Sequence, residues 1–341
     1  MVVDWIIAGG TVLLVAARPQ SWRATAVAVA IAASGVALGH GSAVGTAVHA
    51  VAPIAGLLAV ALALSGLAVR LGAARWAAAR LAVLSRGSGS RLFVLVCTGT
   101  ALLTAVVTLD GAVVVMAPVL VELHRRFGAP LRPLVLGTVA VANAFSLALP
   151  EGNPTNLVVI ERLGLSVGRE ARTMLLPGLA ATLVCAAVIA RRERRLLGAP
   201  FATGSAASGA LPGEPGLMGV PRVVVQILAL LVALLPLGHP SIGGAGLPGL
   251  LAVSLVVSAL AALANNLPAS AIVAAGLSSG PVAYAALIGL SVGALAVPRG
   301  SVATVIAGEL TGEQPPARVL APTALAAALV ATIVVWLVSI S

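Results

Sequence analysis

Four short polar clusters interrupt an otherwise apolar chain, and each holds residue types able to bind a small solute. Thr108, Asp110 and Gly111 form the first. Pro150, Glu151, Gly152, Asn153, Pro154, Thr155 and Asn156 form the second. Asn265, Asn266, Leu267 and Pro268 form the third, and Pro298, Arg299, Gly300 and Ser301 form the fourth, with Thr304 just beyond. Proline lacks an amide donor and breaks a helix, so backbone carbonyls fall free beside it. Glycine lets backbone approach closely. Asn, Ser and Thr supply neutral donors and acceptors. Such groups suit a small hydrogen-bonding solute or an ion held through oxygen and nitrogen. Asp110, Gly111, Asn153, Thr155, Asn156, Asn265, Asn266, Gly300, Ser301 and Thr304 are the candidate binding residues. Asp110, Glu151 and Arg299 are the candidate coupling residues, because an ionisable group deep in apolar sequence is expensive and marks function by default.

Each residue also has a purely structural use. Asn153 and Asn156 suit the cap of a following helix. Asn265 and Asn266 suit the turn of a hairpin tip. Ser301 and Thr304 can bond back to helix carbonyls. Glu151 suits a solvated mouth, and Asp110 and Arg299 suit a permanent ion pair that closes the structure. Cys97 and Cys185 stand far apart in apolar runs and read as packing residues. His40, His49, His124 and His239 fall near the ends of apolar runs and suggest no metal site. Neither a phosphate-binding glycine loop nor a nucleophile elbow is present, so no cofactor and no enzyme chemistry are expected.

The elements that must carry these clusters follow from composition. Of the 341 residues 60% are hydrophobic and only 9% charged, too few charges to cover a water-soluble surface. Continuous apolar runs near bilayer length predict an all-α polytopic membrane protein rather than a barrel. The net charge of +10 comes from 20 arginines without a lysine. They fall between spans, where a positive-inside bias explains them better than nucleic acid does. The expected location is the inner (plasma) membrane, multi-pass. Asp4 and the lack of a cleavage site make the first run a retained span.

The expected organisation begins with N-terminal scaffold spans within 1–90. A first repeat core, 91–195, comprises a re-entrant hairpin at 92–123 with Asp110 at its tip, a broken helix at 133–163 and a span at 173–190. A Gly/Pro/Ala/Ser-rich cytoplasmic linker follows at 196–221. The second repeat, 222–341, has a span at 222–238, a hairpin at 247–277, a broken helix at 281–309 and a span at 319–340. With 70–91 as a basic cytoplasmic loop, only Arg162, Arg169 and Arg172 face outward. The halves share one order in opposite orientation. That is the pattern of an inverted-repeat transporter with two re-entrant hairpins, two broken helices and a site near the midplane.

TLDGAVVVMAPVLVEL, ANAFSLALPEGNPTNLVVIERLGLS, ALANNLPASAIVAAGL and GALAVPRGSVATVIAGEL together resemble the core segments of ArsB-type arsenite permeases. These permeases belong to the ion transporter superfamily, with dicarboxylate, citrate and sodium/proton carriers. The resemblance covers about 90–310, linker excepted. It implies efflux of arsenite or antimonite driven by the proton gradient or aided by a cytoplasmic ATPase partner. It leaves a homodimer open, because the second half has fewer spans than larger relatives. Arsenite near neutral pH is mostly an uncharged trihydroxide, which amides, hydroxyls and freed backbone groups can bind and release. An organic-anion or sodium-coupled carrier of the same superfamily is the nearest alternative. A non-transporting membrane subunit is the alternative of another class.

Overall fold

The computed structural model describes residues 2–17, 21–39, 41–203, 219–237, 246–277 and 279–340. Most of the expected linker, together with His40 and His239, lies outside these described residues. The chain is all-α: α1 (Val2–Ala17), α2 (Trp22–Ala37), α3 (Gly41–Arg70), α4 (Ala73–Ser85), α5 (Gly89–Phe127), α6 (Leu131–Phe145), α7 (Pro154–Leu163), α8 (Val167–Arg192), α9 (Arg194–Leu197), α10 (Gly219–Leu234), α11 (Gly246–Ala264), α12 (Asn266–Gly276), α13 (Pro281–Ser291), α14 (Val302–Thr311) and α15 (Ala317–Ile340). Five helices among the described residues are long and apolar enough to cross a membrane. Short 3₁₀ turns at Ser146–Ala148 and Pro150–Gly152 join α6 to α7, and one at Gly293–Ala296 leads from α13 towards α14.

The 39 residues of α5 would reach roughly 60 Å if straight. They do not run straight. Thr108 has φ 79° and ψ 166°, outside any helix. The amide of Phe201 donates to Gly87 O (3.2 Å) and that of Ala202 to Phe127 O (3.1 Å), so the two ends of α5 lie side by side. α5 is therefore a hairpin turned at Thr108. α11 and α12 form the second hairpin, turned at Asn265 with φ 73° and ψ 151°. Both turning residues cap the arm that follows. Thr108 Oγ1 accepts from the Gly111 amide (3.4 Å), and Asn265 Oδ1 accepts from the Leu267 amide (3.2 Å).

The two broken helices match residue for residue. Leu149 (φ −135°, ψ 134°) corresponds to Val297 (φ −126°, ψ 149°). Asn153 (φ −143°, ψ 126°) corresponds to Ser301 (φ −125°, ψ 134°). The Gly152 amide donates to Leu149 O (3.0 Å), as the Gly300 amide does to Val297 O (3.1 Å). Both glycines are required by space. A Cβ on Gly152 would stand 2.9 Å from Ser146 O, and one on Gly300 would overlap Ala294 O. In this register Glu151 and Arg299 occupy equivalent places, with opposite charge.

The repeats cross over. The first hairpin packs against α14 of the second half, while α12 of the second hairpin packs against α7 of the first. The closing helices α8 and α15 pack together, and the Arg192 guanidinium meets Arg318 O (3.5 Å), which makes the pair antiparallel. One apolar core accordingly runs through both halves and takes in Cys97 and Cys185.

Two expectations need correction. The loop at 70–91 contains a helix, α4, whose Ala74, Ala78, Ala82 and Ser85 form a buried stripe against α5. Small residues at that spacing let two helices approach closely. The expected linker also begins later than 196, because Leu197 O takes the Ser90 hydroxyl (3.4 Å) and residues 201–202 bridge the base of the first hairpin.

Candidate functional site

The first break is tied to the second half by a chain of polar contacts. Asn153 Oδ1 accepts from the Thr155 amide (3.0 Å), capping α7, while its Nδ2 donates to Ser291 Oγ (3.1 Å) at the end of α13. Ser291 Oγ donates in turn to Asn156 Oδ1 (3.4 Å). Asn156 Nδ2 donates to Ser146 O (2.8 Å) and Leu149 O (3.4 Å), two carbonyls freed by the break. The three side chains in this chain of contacts, Asn153, Ser291 and Asn156, are all buried. Asn153 thus caps α7 and reaches into the other half at once, while Asn156 holds the freed carbonyls and meets Ser291.

The second hairpin docks by its tip on the second break. The Asn266 amide donates to Gly300 O (2.8 Å), and Asn265 Nδ2 donates to Arg299 O (2.8 Å). Asn265 and Arg299 line a cavity of about 950 Å³ with Arg222, Gln226, Glu309 and Gln314. Inside it Arg222 pairs with Glu309 (3.2 Å). Arg299 is exposed there and makes no ion pair among the described residues.

Several buried oxygens next to the breaks and the first hairpin's turn accept or donate no hydrogen bond: Asp110 Oδ1, Asn143 Oδ1, Thr155 Oγ1, Ser301 Oγ and Thr304 Oγ1. An unsatisfied buried polar group costs roughly 1–3 kcal/mol, so each of them calls for a reason. Four of the five belong to uncharged side chains. They are hydroxyl and carbonyl oxygens of the kind a polar, uncharged solute can bond.

Seven of the predicted residues therefore fall into two groups. Asn153, Thr155 and Asn156 lie in the buried contact between halves, whereas Asn265, Asn266, Arg299 and Gly300 meet where the second hairpin docks. Ser301 and Thr304 are buried at the start of α14. Glu151 is exposed on its turn. Asp110 is not the turning residue of its hairpin. It sits in the first turn of the second arm, with Gly111 beside it, because Thr108 makes the reversal. Asp110 and Arg299 form no ion pair. Asn143, Ser146 and Ser291 were missed by reading the sequence. Aligning SLALPEGNPTN on ALAVPRGSVAT would have drawn notice to them, since Asn143 falls opposite Ser291.

Comparison with known proteins agrees with this architecture. A rice (Oryza sativa subsp. japonica) silicon efflux transporter, LSI3, is 37% identical over 107 residues, which is 31% of this chain and 22% of that protein. The chain therefore matches about a fifth of the length of that relative. A model of a family described as citrate transporter matches residues 11–340, nearly the whole chain. With two hairpins and two broken helices inside that matched range, the chain belongs to the CitMHS citrate transporter family.

Proposed function

We propose that the protein is a secondary transporter that exports arsenite and antimonite, driven by the proton gradient. The observation that carries this reading is the set of buried, unpartnered oxygens on Asp110, Asn143, Thr155, Ser301 and Thr304. Most are neutral, as suits a neutral hydroxylated solute. The name of the rice relative points the same way, since silicon in neutral water is also an uncharged hydroxide. A shift of the second hairpin's tip off the second break gives the solute a way through, and Asp110 is the acid that couples such a shift to a proton. Expression in a bacterium lacking arsenite pumps tests the substrate. Growth on arsenite and antimonite should be restored, and growth on arsenate should not.

A second reading is favoured by Arg299, whose cavity also holds Arg222 and Asn265. It makes the protein a carrier of an organic anion such as a carboxylate. Vesicle uptake of labelled citrate, abolished by Arg299→Gln and insensitive to arsenite, would establish that reading over the first.

A further inference from the structure

Glu170 stands in the first turn of α8, is 0% exposed, and has no hydrogen-bond partner on either carboxyl oxygen. No arginine pairs with it, whereas Glu122, Glu193 and Glu309 each have one. An ionised carboxylate in such a place would bear a large desolvation cost with nothing to offset it. We infer that Glu170 is a second proton-binding site of the transport cycle, reached from solvent through Glu151. This inference rests on the proton-driven reading above.

The surroundings support a proton rather than a salt bridge. α8 packs against α6, α15, the two turns of the first break, α5 and α9, and no charged side chain of α5 or α9 forms an ion pair with Glu170. The second of those turns carries Glu151, exposed to solvent. The C-terminal end of α6, Val139–Phe145, carries no ionisable side chain. Its basic residue, Arg132, pairs with Glu193 near the far end of α8 (3.0 Å). The antiparallel α15 turns its last ten described residues, 331–340, towards this end, and none is ionisable. Arg169 and Arg172 on α8 and Arg162 on α7 are exposed and form no ion pair with Glu170. The step is a plain transfer: hydronium protonates the Glu151 carboxylate, and Glu151 passes that proton to the Glu170 carboxylate. Ionised, Glu170 repels Glu151 and favours displacement of the turn that leads into Asn153. Protonated, it lets the turn settle on α8. Proton occupancy and the position of the first break are thereby linked.

Two experiments test this. The first needs no substrate. Infrared difference spectra of purified protein in nanodiscs, taken across neutral pH, should contain a protonated-carboxyl band that is absent in Glu170→Gln and kept in Asp110→Asn. An unchanged band set in Glu170→Gln would overturn the inference. The second uses vesicles loaded with arsenite. Each coupled proton multiplies the limiting substrate ratio by about ten per unit of pH difference. Glu170→Gln should therefore keep arsenite exchange while its limiting ratio falls about tenfold, and an unchanged ratio would exclude a coupled site. If wild-type vesicles move no arsenite, the substrate reading fails while the infrared result still decides Glu170. Glu170→Met should fold as well as Glu170→Gln, because each is a neutral isostere of the protonated acid. Loss of folded protein in both would show an ionised, paired Glu170 and sink the idea.

Discussion

Asn153 uses both ends of its amide, one to cap α7 and one to reach Ser291 in the other half. The two roles separate by substitution. Asn153→Ser imports the residue that the second repeat has at this place, Ser301. Although Ser301 makes no cap bond in its own repeat, a serine at 153 still offers an oxygen able to cap α7, and it loses the reach to Ser291. It should stay folded and lose transport. Asn153→Ala loses the cap as well and should be less stable than Asn153→Ser by about 1 kcal/mol, read as a lower melting temperature in detergent. Equal transport by wild type and Asn153→Ser would leave only the capping role. The sequence identified Asn153 because a polar residue between two prolines in an apolar run has few structural excuses. It hid Ser291 and Glu170, since a lone serine in a helix and a glutamate in an arginine-rich stretch look ordinary until burial is known.

At the scale of the element, the two hairpins turn at non-glycine residues in a region of backbone space nearly reserved for glycine. For Thr108 the cost is on the order of 1–3 kcal/mol, and strain of this kind gathers at working sites. Replacing it by glycine should release most of that strain and lose one capping bond to Gly111. Thr108→Gly should therefore melt higher than wild type, by a net of about 1 kcal/mol, and a lower melting point would show that the cap dominates. The interruption was legible from Asp110 and Gly111, but its turning residue was not, because β-branched threonine argues against such a conformation. α4 went unread for a different reason. Its arginines suggested a loop, while the informative feature was the alanine stripe at every fourth position.

The whole molecule brings Gly87, Phe127 and residues 201–202 to one end and leaves the start of α8 at the other. Single cysteines at Arg86 and Gly168, both exposed, should consequently label from opposite sides of the membrane, with Arg86 cytoplasmic. External labelling at both positions would overturn the topology. The broad plan was readable because hydrophobic runs, breaks and arginine bias are all properties of local sequence. The crossing of the repeats was not, since nothing local in α14 or α7 states which hairpin will rest on it.

That crossing has a consequence for how the protein is made. While a ribosome is still producing the second half, the first hairpin has no α14 to rest on, and α7 has no α12. The first half must wait in the bilayer with its polar turns uncovered, dependent on lipid, water or a membrane chaperone. Assembly is then a late, post-insertion event in which each half completes the other. Cutting the gene within 204–218 and producing both fragments together should restore a working carrier. Either fragment alone should be degraded, and the half-life of the first fragment should lengthen in direct response to the supply of the second.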